Sequence, residues 1–124
     1  MRDHRDVRAA LRELHEPAEI AALIEQFLSG LTPAEARVLP DGLRGGAMGS
    51  GIEALAGAAL ELKREELRHK SGSPEMRTLE AVAAVLAAAA ARLADISGRP
   101  TLRKMIGPME RGVAERRIAR RPDA

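Results

Sequence analysis

The 124-residue chain has no cysteine, no tryptophan and no tyrosine, and Phe27 is its single aromatic residue. Without thiols there is no disulfide framework, no thiolate metal site and no cysteine nucleophile. Without rings to stack on bases, sequence-specific recognition of single-stranded nucleic acid is not expected. Strand formers are scarce as well, because valine and isoleucine fall at helical spacing rather than in alternating runs, which points to an all-α fold. Long apolar runs are missing. The longest low-polarity stretch, Ala81 to Ala91, is 11 residues long and mostly alanine, well short of the roughly 20 that a membrane-spanning helix needs. The opening "MRDHRDVRAALREL" alternates charges where an export leader would carry an apolar block, so no membrane span and a cytoplasmic place are expected.

What the chain does have is alanine, 24 residues, beside 27 of Leu, Ile, Val and Phe together. That is enough for the core of one small domain, but a thin one, because alanine buries little area and favours close helix packing. Charge is segregated along the sequence: residues 1–98 carry 12 Lys and Arg against 15 acids, and residues 99–124 carry eight against three. A mildly acidic helical domain, residues 1–98, is thus followed by a basic tail that Gly107, Pro108 and Gly112 leave weakly helical or flexible.

Punctuation divides the first 98 residues. Val7, Ala10, Leu11 and Leu14 fall on one stripe of a helix over residues 3–16. Pro17 opens a second, carrying Ile20, Leu23, Ile24, Phe27 and Leu28 and closed by Gly30. Thr32, Pro33 and Glu35 spell a capping box for a short third helix that Pro40 stops. Ser50 and Glu53 have the same spacing and predict a helix from residue 51 that Gly72 closes, its inner stripe being Ile52, Leu55, Ala56, Ala59, Leu60, Lys63 and Leu67, with Glu66 and Lys70 paired on the outside. Ser73 and Pro74 open the longest helix, residues 74–97, on which Leu79, Val82, Leu86, Ala89, Leu93 and Ile96 repeat in steps of three and four. The expected architecture is a small helical bundle: a long helical hairpin over about residues 51–97, with shorter N-terminal helices against it.

No catalytic constellation emerges. The glycines of "DGLRGGAMGSGIEAL" lack the lysine of a Walker loop, since none occurs between Pro40 and Leu62, and "GGAMGSG" is not a dinucleotide fingerprint. Residues 42–51 read instead as a flexible connection. Glu66 and His69 have the spacing used in di-iron bundles, but neither His4 nor His15 supplies the second such pair. His69 is expected as a solvated or capping residue in the last helical turn, and Glu65 and Glu66 as a solvated face. No metal, cofactor or small-molecule substrate is expected, and the protein is not expected to be an enzyme.

Two short stretches resemble parts of known DNA-binding domains. "LTPAEARVL" resembles the opening of the helix-turn-helix of response-regulator-type transcription factors, although "PDGLRGG" follows where that family's scaffold and recognition helices belong. "SPEMRTLEAVAAVL" is similar to the fourth helix of repressor-type helix-turn-helix domains, with no matching recognition helix upstream. No functional residue is carried over from either.

The longest helix gives the functional expectation. It outruns the partner before it, so part of its seam is expected to lack internal cover, making Leu79, Val82, Val85, Leu86 and Leu93 packing or docking positions in an adaptor or structural subunit that self-associates or docks on a larger protein assembly. The alternative is an accessory nucleic-acid-binding protein whose tail arginines, Arg116, Arg117, Arg120 and Arg121, pair with phosphates.

Overall fold

The chain forms α1 (His4–Glu13), α2 (Pro17–Ser29), α3 (Pro33–Val38), a 3-10 helix (Asp41–Gly46), α4 (Ile52–Glu66) and α5 (Pro74–Ile96) in the computed structural model, which describes residues 3–46, 49 and 51–98. No strand occurs among the described residues, so the fold is all-α, a small helical bundle. Three helices begin on proline, whose fixed φ and missing N–H suit the first helical position. Side-chain caps satisfy other free N–H groups. Asp3 accepts from the Arg5 amide at 2.9 Å, and Ser73 Oγ accepts from the Met76 amide at 3.2 Å. The expected capping box is present in full, with the Glu35 amide donating to Thr32 Oγ1 at 3.1 Å and the Thr32 amide to Glu35 Oε1 at 2.9 Å.

Helix α5 is the hub of the bundle. It packs on all four other α-helices, most extensively on α4, and between Thr78 and Ala94 only Ala88 and Arg92 escape full burial. Alanine makes this arrangement fit: with methyls at 81, 83, 84, 87, 89, 90, 91 and 94, neighbours approach the α5 backbone from several sides at once. They bring the large side chains, among them Val7 and Leu11 from α1, Ile20, Ile24 and Phe27 from α2, and Leu55 and Leu62 from α4. At about 1.5 Å per residue, the 23 residues of α5 span roughly 35 Å and the 15 of α4 roughly 22 Å. The excess length does not lack internal cover, because α1 to α3 pack on it.

Helix α4 departs from expectation at both ends and in its facing. Its N-cap is Gly51, which has no side chain to cap with, and Ser50 lies outside the described residues. The helix stops at Glu66, a turn before Lys70, and the loop to α5 passes through Gly72 at φ 78, a left-handed conformation that suits glycine. The buried stripe is Leu55, Ala58, Ala59, Leu62 and Glu66. Leu60 and Leu67, expected inside, are 43% and 75% exposed, while Glu66, expected outside with Lys70, is 1% exposed. Leu55 and Leu62 stand one heptad apart on one side of the helix, and Leu60 and Leu67 one heptad apart roughly 140° round from them. Both pairs satisfy a helical period, and the Ala and Gly residues between them give the sequence little to choose the inner face by.

The segment read as a flexible connection begins with the 3-10 helix, which sends Leu43 into the core, and residues 47, 48 and 50 lie outside the described residues. Among the described residues no helix is long and apolar enough to cross a membrane.

Candidate functional site

The five positions expected to pack or dock all lie in the interior of this chain. Leu79, Val82, Val85 and Leu86 have no exposed surface and Leu93 has 7%. Their cover comes from the other helices, so a partner could touch them only by opening the bundle. The four arginines of the alternative reading, Arg116, Arg117, Arg120 and Arg121, lie outside the described residues. The Glu65–Glu66 pair is a solvated face only in part, since Glu66 is buried. Glu65 lies 3.3 Å from Arg68 Nη1 and 3.8 Å from His69 Nε2. Among the described residues no three acidic, histidine or cysteine side chains gather as metal ligands would.

Two surface features remain. The first is the outer face of α4, where Leu60 and Leu67 stand beside half-buried Ala56 and exposed Gly57. A side chain added at Gly57 would meet nothing within 4 Å. Glu53 and Arg64, both exposed, lie towards opposite ends of this face.

The second feature is a cleft of about 100 Å³ between α1 and α5. Arg8 and Arg12, one helical turn apart on α1, face Arg92 of α5 across a floor that includes Ala88 and Ala91, with Asp95 as the one carboxylate among the described residues of the lining. Arg92 is fixed in place: Nε donates to the Leu14 carbonyl at 2.8 Å, and Nη2 lies 2.9 Å from His15 Nδ1. Because a guanidinium only donates, His15 Nδ1 is the acceptor of this contact. Arg8 Nε is buried with no hydrogen-bond partner among the described residues.

Sequence reasoning missed both features. The signal for the cleft is Arg92, the one charged residue between Ala81 and Ala94, where only a positional need explains a cation in an otherwise apolar run. The signal for the α4 face is that four leucines occupy two opposite sides of one helix. No family model matches this chain, and comparison with curated proteins and with solved structures gives no match either.

Proposed function

We propose that this chain is a non-enzymatic helical interaction protein, an adaptor or structural subunit that works by self-association through the outer face of α4. The carrying observation is the heptad pair Leu60 and Leu67, two large apolar side chains turned to water on one stripe. Covering them gains roughly 25 cal/mol per Å² of apolar surface removed from water. A second copy running antiparallel fits this face. With the two helices centred between positions 57 and 60, each Leu60 enters the open space over the other copy's Gly57, and each Glu53 meets the other's Arg64. The same stripe suits a helix of a larger assembly, and a cytoplasmic setting agrees with a chain that has no cysteine to oxidise.

Light scattering on the full chain and on Leu60→Glu tests this. The expected result is a dimer that becomes a monomer of unchanged helicity in the variant. A parent chain that stays monomeric at high concentration without a partner overturns the reading of self-association.

The alternative, nucleic-acid binding by Arg116, Arg117, Arg120 and Arg121, is supported by the segregation of charge, a net +5 on residues 99–124 after a net −3 on residues 1–98. A chain ending at Ser97 should then lose salt-sensitive affinity for nucleic acid while keeping its helicity. Equal binding by both forms removes this reading.

A further inference from the structure

We propose that the cleft between α1 and α5 is a binding site for a phosphate group, held by Arg8, Arg12 and Arg92. This goes beyond self-association and does not depend on it. Three guanidinium groups lining one small cleft repel one another, and among the described residues of the lining Asp95 offsets only one of the three charges, an excess of +2. A phosphate monoester carries close to two negative charges near neutral pH, with oxygens enough to accept from several guanidinium forks at once.

The positions of the three side chains favour such a ligand. Arg92 is already immobilised by Leu14 and His15, so little freedom is lost when it meets an anion. Capping the end of α1 accounts for Arg92, but it does not account for Arg8 and Arg12. The Nε of Arg8 is shielded from water and has no acceptor among the described residues, and a small turn of the side chain would present it to an anion in the cleft. A volume of about 100 Å³ is well below the roughly 300–1,000 Å³ of sites for drug-sized ligands, which suits a single phosphate group rather than an organic cofactor.

Titration of the full chain with inorganic phosphate, against chloride at matched ionic strength, tests the site by calorimetry and by the Nε–H resonances of the arginines. Saturable binding is expected, with the Arg8 Nε–H signal shifting, and affinity falling about tenfold in Arg8→Gln and in Arg12→Gln. Arg77→Gln, an exposed arginine at the far end of α5, should bind as the parent does. Absence of saturable binding overturns the proposal, as does an equal loss in Arg77→Gln, which would mean general charge screening. The Arg12 side of the test is safe from misfolding because Arg12 is exposed. Competition by a DNA duplex identifies nucleic-acid backbone as a source of the phosphate, and failure of the duplex to compete identifies a free phosphate or monoester; both results uphold the cleft.

Discussion

Arg92 and Leu14 are joined across 78 positions of sequence by a 2.8 Å hydrogen bond from guanidinium Nε to backbone carbonyl. Leu14 is the residue that ends α1, where carbonyls lose their helical partners and a cation is favourably placed against the helix dipole. The cap of α1 is therefore supplied by α5.

Replacing Arg92 by methionine keeps an apolar stem and removes the donors. A hydrogen bond to a charged group contributes about 1.5–3 kcal/mol, and a loss of that order is expected for Arg92→Met in urea denaturation. Loss of less than a few tenths would mean that water replaces the bond.

Acid should weaken the α3 cap. Burial works against the ionised form of Glu35, but the hydrogen bonds from Thr32 outweigh it, and the carboxyl is held below its ordinary range. A lowered carboxylate pKa stabilises the fold above the unfolded-state value, and that contribution disappears as pH falls through the folded-state value. The melting temperatures of the parent and of Glu35→Gln should therefore differ near neutral pH and converge as pH drops below about 4.3, the ordinary glutamate value. A constant gap across that window would refute it.

The two leucine pairs of α4 should respond differently to truncation. Leu62→Ala empties a fully buried position and is expected to cost about 2–5 kcal/mol. Leu60→Ala should change monomer stability by less than about 0.5 kcal/mol while weakening self-association. Equal costs in the monomer would show that the face of α4 is misassigned.

Val85→Glu separates packing from docking. Val85 has no exposed surface, and a carboxylate there would be buried without a designed partner. Circular dichroism should report global unfolding rather than a folded monomer freed from its assembly.

Gly57 should be improvable within the monomer and not in the dimer. It is exposed in the interior of α4 with nothing near its missing Cβ, so Gly57→Ala should stabilise the monomer by up to about 1 kcal/mol. If Leu60 of a second copy occupies that space, the same change weakens association. The combination of higher melting temperature and looser dimer is the expected pair of readings.

Helix starts were legible because they depend on local chemistry: Thr32 with Glu35, Ser73 with Pro74, and Pro17 each carry their signal within one turn of sequence. The all-α class followed from the same local spacing. The inner face of α4 was not legible, since the choice between Leu55 with Leu62 and Leu60 with Leu67 is made by what packs against the helix. Burial of Glu66 follows from that choice, because it shares a face with Leu62. The cover of α5 was equally hidden: its length against α4 suggested a bare seam, and only the placement of α1 to α3 fills it. The arginine cleft joins positions some 80 residues apart, and no local pattern announces that Arg8 and Arg92 face one another.

The position of the hub in the order of synthesis has a consequence for the nascent polypeptide. Helices α1 to α4 all rest on α5, whose last residue is Ile96, so their greasy sides have no seat while the ribosome is still translating the codons for it. At about 5–20 residues per second, Val7 and Leu11 wait several seconds for α5 to be made, and throughout that interval their apolar side of α1 stays open to water.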